Sequence, residues 1–228
     1  MAEQTKVSDE AVADAPRGRG RPQTRCDEET RAIIFDAARH EFAARGYATT
    51  AMETVAKRAG VSTKTLYRLI PNKAALFEAM VTDRTADFVS GVKLRACTGR
   101  GDIEATLADA LTACGELMLD GEVIALQRVI LADTDKFPEV AETFYHKAIT
   151  PTQNALAGWL RAHERRGLIR LDDADVSAGM LLGMLAMQPL RAVMFGHMPP
   201  PSGADIGRRA KACAALFLRG SGRGKDAV

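Results

Sequence analysis

Apolar residues recur every three or four positions along most of this chain, a spacing that predicts helices rather than strands. Ile34, Ala38 and Phe42 form the inner stripe of a helix that begins at Asp27, and Gly46 ends it. Met52, Val55, Ala56 and Ala59 then mark one face of a short helix. Thr50 and Glu53 stand at its start with T-x-x-E spacing, which predicts a capping box. Gly60 supplies a turn, because glycine enters the left-handed region without penalty. Ser62 is placed to cap a second short helix. Its Leu66, Leu69 and Ile70 fall on the inner side, leaving Thr63, Lys64, Thr65, Tyr67 and Arg68 outside. Pro71 stops that helix and Asn72 caps the next, which carries Leu76, Phe77, Met80, Val81 and Phe88.

A break falls at Thr98-Gly99-Arg100-Gly101. Beyond it Asp102 caps a helix from Ile103 to about Leu119, and Asp120-Gly121 separates this from a helix over Glu122 to Ala132. Lys136-Phe137-Pro138 opens a long helix to about Arg166, with a kink expected at Pro151. Gly167 closes it. Asp172 or Asp173 caps a helix running to about Phe195, a Pro-rich loop covers Gly196 to Gly203, and a last helix spans about Ala204 to Leu218. The expected fold is therefore all-α, with about nine helices. Val176, Met180, Gly183, Met187, Leu190 and Met194 are spaced four and three apart, as are Ile206, Ala210, Cys213 and Phe217. Paired seams of this kind predict a helical bundle between two copies of the chain.

Composition agrees with helices: 46% of residues are hydrophobic but only 5% aromatic. The net charge of +2 is unevenly spread. Pro16 to Ala74 holds twelve basic and six acidic residues, so the rest of the chain is mildly acidic. Arg45 to Lys73 alone has six basic residues against one acidic. Cys26, Cys97, Cys114 and Cys213 lie far apart without a C-x-x-C, which suits reduced thiols in a cytoplasmic protein. The start of the chain is acidic and polar, unlike a signal peptide, and the longest apolar run, Met180 to Met187, is short for a membrane span. Asp172, Asp173 and Asp175 read as a helix cap rather than a metal site. No metalloprotease, hydrolase or dinucleotide motif is present, and the GSGRGK tail lacks the flanking residues of a P-loop. No enzyme, metal or cofactor is expected.

Helix, glycine turn, helix, on a basic segment, is the pattern of a helix-turn-helix that binds double-stranded DNA. Ser62, Thr63, Lys64 and Thr65 open the second helix, where base edges are reached, and Tyr67 and Arg68 follow where phosphates lie. Phe42, Gly46-Tyr47, Thr50, Val55-Ala56, Ala59-Gly60-Val61-Ser62, Thr65-Leu66-Tyr67, Asn72-Lys73 and Leu76-Phe77 together resemble the DNA-binding domain of the TetR family of transcriptional regulators. Lys64 departs from the small residue common there, and Leu69-Ile70 from the usual aromatic or His followed by Phe, so the resemblance does not give the operator sequence. By resemblance, Thr50, Tyr67 and Lys73 occupy phosphate-contacting positions, and the last two helices form the dimer. The same resemblance, weaker over Gln127 to Phe195, implies a cavity for a small apolar effector among the middle helices. Candidates to line it are Met118, Gln127, Ile130, Leu131, Phe144, Tyr145, Trp159, Met184 and Gln188.

The expected organisation is a disordered basic arm over residues 1–25, a helix-turn-helix domain over 26–72, a connecting helix over 73–98, and an effector-binding and dimerisation domain over 99–228. Within the arm, Arg19-Gly20-Arg21-Pro22 matches the AT-hook, in which Arg19 and Arg21 would lie along a minor-groove floor. The function expected is a repressor released from a palindromic operator by a small molecule. An effector-independent architectural DNA-binding protein is the alternative.

Overall fold

The computed structural model describes residues 26–98 and 102–221, and all regular structure among them is helical. The helices are α1 (Asp27–Thr49), α2 (Met52–Ala59), α3 (Thr63–Leu69), α4 (Lys73–Thr98), α5 (Ile103–Met118), α6 (Gly121–Ala132), α7 (Pro138–Phe144), α8 (Thr150–Arg165), α9 (Ala174–Met194) and α10 (Gly203–Ser221). A π-turn, Tyr145–Ile149, joins α7 to α8 without a gap, so the long helix expected after Phe137 exists. Its irregularity precedes Pro151. That proline has no N–H to give the Lys147 carbonyl, and Thr150 reaches back five residues to the Tyr145 carbonyl instead.

The caps explain most helix starts. The Ser62 hydroxyl accepts from the Thr65 N–H at 3.0 Å, Asn72 Oδ1 from Ala75 at 2.8 Å, and Asp102 Oδ1 from Glu104 at 3.1 Å. Asp120 caps α6 and Asp173 caps α9, each accepting two backbone N–H groups. Thr50 does not cap α2. The N-cap position there is held by Ala51, and the Thr50 hydroxyl is buried, donating to the Gly46 carbonyl at 2.7 Å. The cause lies upstream: Gly46 adopts φ 83° and ψ 168°, which bends the chain back over the end of α1 and turns Thr50 inward.

Two main apolar clusters result. The first holds Phe42, Val55, Leu66 and Phe77 of α1–α4 together with Leu126, Ile130, Val140 and Phe144 of α6 and α7. Tyr47 joins the two groups, stacked on Phe42 and edge-on to Phe137 at 5.4 Å between centroids. The helix-turn-helix thus shares one core with the helices behind it. The second cluster packs α5, α8, α9 and α10 around Trp159, Leu111, Leu156 and Leu181.

In α10 the seam expected between subunits turns inward. Ile206, Ala210 and Cys213 are buried within the chain, and Phe217 packs on the second cluster. Gly115 allows this, because a Cβ there would sit 2.5 Å from Ile206 Cγ2, so α5 and α10 approach at that point. Helix α9 has 21 residues and a mean hydropathy of 1.3 in its most apolar window, which is long and apolar enough to cross a membrane by composition alone. Here it packs its Ala178, Leu181 and Leu185 side against the protein.

Candidate DNA-binding face and ligand cavity

Helix α3 sits on the first core through Leu66 and Leu69. That anchoring leaves Ser62, Thr63, Lys64 and Tyr67 exposed on the other side, and Thr65 half-buried. The Thr65 hydroxyl lies 2.8 Å from Ser62 Oγ, so Ser62 and Thr65 build the helix start. Thr63, Lys64 and Tyr67 project from the surface as an ammonium and hydroxyl donors, the chemistry that base edges and phosphates accept.

Three expected contacts are engaged elsewhere. Thr50 is buried, as described. Arg68 forms a two-pronged pair with Asp27 at 2.7 and 2.9 Å, tying α3 to the start of α1 and holding the Asp27 carboxyl below its usual range. Lys73 donates to the carbonyls of Tyr47, Ala48 and Thr50 at 2.8, 3.2 and 3.1 Å, with its ammonium 4.6 Å from the Tyr47 ring centre. It closes the carbonyl end of α1, and burial lowers its pKa. Glu41 went unnoticed in the sequence. It is buried between Arg58 Nε at 2.6 Å and Arg45 Nε at 3.1 Å, so two of the basic residues neutralise an internal charge. Arg19 and Arg21 lie outside the described residues.

Behind the head is a cavity of about 340 Å³. Its wall comes from Met80, Val81 and Arg84 of α4, Leu126 and Gln127 of α6, Phe144 and the π-turn, Thr152 and Gln153 of α8, and Leu182, Gly183 and Met187 of α9. Met118, Gln127 and Phe144 line it as expected. Ile130, Leu131 and Tyr145 line a second hollow that shares Gln127, Phe144 and Ile149 with the first. Trp159 lines neither. It lies in the second core, stacked on His163 at 3.7 Å. Met184 and Gln188 lie on the α10 side of α9, where Arg209 binds the Met184 carbonyl and Gln188 Oε1.

The two cationic members of the wall, Arg39 and Arg84, were not expected. Arg39 pairs with Asp36 and Glu122. Arg84 Nη2 is 3.3 Å from Asp120, while its Nε is buried without a hydrogen-bond partner. A signal existed: Arg84 falls on the same helical stripe as Phe77, Val81 and Phe88, where a charge is out of place.

On α9, Met180 and Met187 are 64% and 54% exposed, Gly183 is half-buried, and Leu190 and Met194 are half-buried against a third, smaller cluster of Leu119, Ile124, Ala186, Val193 and Ile206. The α9 half of the expected subunit seam is thus an apolar surface.

Residues 34–80 match the bacterial regulatory proteins of the tetR family, and residues 105–220 match the C-terminal domain of AefR-like transcriptional repressors. The chain belongs to the TetR family of transcriptional regulators. A putative TetR-family regulator from Mesorhizobium loti MAFF303099 superposes with a TM-score of 0.73 at 27% identity, covering 86% of this chain and 98% of that one. The flavonoid-responsive regulator FrrA gives 0.59 at 24% identity, over 86% and 100% of the two chains. FadR from Bacillus subtilis, solved with stearoyl-CoA, gives 0.66 at 19% identity over 83% and 98%. The last two likenesses concern the fold alone. No curated protein matches the sequence. As a TetR-family member the chain carries a DNA-binding head and a ligand-binding C-terminal domain, and proteins of this kind are typically regulators rather than enzymes.

Proposed function

We propose that this TetR-family protein is a repressor that binds a palindromic operator as a homodimer and leaves it when a small, largely apolar molecule fills the cavity. The observation that carries this reading is the shared core. Val81, Leu126 and Phe144 line the cavity and belong to the same apolar cluster as Phe42, Leu66 and Phe77 of the DNA-binding head. A molecule that displaces α6 or Phe144 therefore works directly against the packing that orients α1 and α4.

Thr63 and Lys64 are assigned to base edges and Tyr67 to a phosphate, the exposed α9 face to the partner subunit, and Met118, Gln127 and Phe144 to the effector. Two heads read half-sites about 34–36 Å apart along the duplex, so a small swing of α4 breaks the register. The effector must bind one arrangement of the heads better than the other, or it shifts nothing.

The test is binding of the purified protein to its own upstream DNA, with and without fractionated cell extract. A fraction that releases the protein, and binds free protein more tightly than DNA-bound protein, is the expected result. Equal affinity for the two forms excludes release by this mechanism. Equal binding to upstream and bulk DNA, unmoved by any fraction, points to the architectural alternative.

A further inference from the structure

The cavity wall is mostly apolar, with Thr85, Gln127, Thr152 and Gln153 as neutral polar members and charge at Arg39, Asp83 and Arg84. Arg84 of α4 presents a guanidinium whose Nε–H is buried and makes no hydrogen bond. A buried donor without an acceptor is costly, and a charged one more so. Asp120 only partly answers it. That carboxylate lies 3.3 Å from Arg84 Nη2, and its Oδ1 already accepts from the Glu122 and Val123 N–H groups as the cap of α6. The other charges on the wall are Asp83 and Arg39, which is itself held by Asp36 and Glu122.

Resting on the reading of this cavity as the effector site, we propose that Arg84 is its polar anchor and that the effector is an amphipathic acid. Its carboxylate takes the Arg84 guanidinium, and its apolar body lies along Leu126, Phe144 and Leu182. A guanidinium edge offers parallel N–H donors that match the two carboxylate oxygens, a fit that a hydroxyl cannot make. The anchor stands on α4, the helix that joins the head to the rest of the chain, and its present partner Asp120 caps α6. A carboxylate on Arg84 competes with Asp120 and so loosens an ion pair that ties α4 to the start of α6.

The probes are decanoate and decan-1-ol, which share a chain and differ in the head group, titrated calorimetrically into the full-length protein near neutral pH. Decanoate is expected to bind roughly tenfold more tightly, or better. Arg84→Met is expected to abolish that preference while leaving decan-1-ol binding unchanged. Asp120→Asn keeps the α6 cap, since Asn caps as well as Asp, and removes the competing charge, so it is expected to tighten decanoate alone. Equal affinity of the two probes for the wild type overturns the anchor and leaves the cavity as a ligand site. A preference that survives Arg84→Met, or decanoate affinity unmoved by Asp120→Asn, overturns it as well. Failure of both probes to bind overturns the anchor together with the reading of the cavity.

Discussion

Replacing Gly46 by Ala tests how the head is joined to the body. Two separate costs arise at this position. Gly46 holds φ 83° and ψ 168°, a region that L-residues almost never enter, and forcing an alanine there costs about 1–3 kcal/mol. A Cβ at Gly46 would also lie 2.8 Å from Val129 Cγ1 on α6. Moving Val129 off its preferred rotamer adds about 1 kcal/mol. The expected loss is therefore about 2–4 kcal/mol. Urea unfolding followed by circular dichroism, at one fixed protein concentration because a dimer's stability depends on it, measures this. The two costs separate in a double-mutant cycle. Val129→Ala removes the contact but not the backbone strain, so Gly46→Ala in that background is expected to cost about 1 kcal/mol less. A loss under about 0.5 kcal/mol in the wild-type background would refute the argument, because it would mean that the end of α1 relaxes to an ordinary backbone without disturbing α6. A full loss with no coupling to Val129 would leave the strain standing and remove α6 from the account.

The remaining expectations are briefer. Lys73→Met is expected to cost about 1–2 kcal/mol of stability by freeing three carbonyls, with no change in the salt slope of operator binding; a slope shallower by about one would return Lys73 to a phosphate. Lys64→Ala is expected to relax base preference by ~1–3 kcal/mol, and a uniform loss over operator variants would remove it from the base edges. Met187→Glu places a charge on the exposed α9 face and is expected to give monomers that fail on the operator; an unchanged mass by light scattering would move the interface elsewhere. His163 is buried against Trp159 and donates from Nδ1 to the Trp159 carbonyl at 2.9 Å, and burial pulls its pKa below the usual 6.5. The unfolded chain then takes up a proton that the folded one refuses, so stability is full above pH 6.5 and falls as pH drops from there through the lowered folded value. His163→Phe is expected to flatten that fall in urea melts at a series of pH values, and an unaltered profile would deny the linkage.

Local chemistry made most of the helices legible in the sequence. Gly60 at φ 65°, the Ser62, Asn72, Asp102, Asp120 and Asp173 caps, and Gly167 at φ 69° act within a few residues of themselves, so their effects can be read from neighbours in the chain. Helix α3 was legible for the same reason: a seven-residue helix with Leu66 and Leu69 inside has little choice about what it shows outside. What only the tertiary structure decided are the matters settled by distant partners. Thr50 has the sequence of a cap, but the bend at Gly46 buries it. Lys73 and Arg68 look like free cations until Tyr47, Ala48, Thr50 and Asp27 are brought beside them. The seam of α10 has the right spacing for a partner helix, yet spacing cannot say which helix, and the missing side chain at Gly115 gives it to α5. Periodicity fixes which residues share a face, whereas the neighbour of that face follows from how all the helices pack at once, and so the cavity and the arginine on its wall came only from the fold.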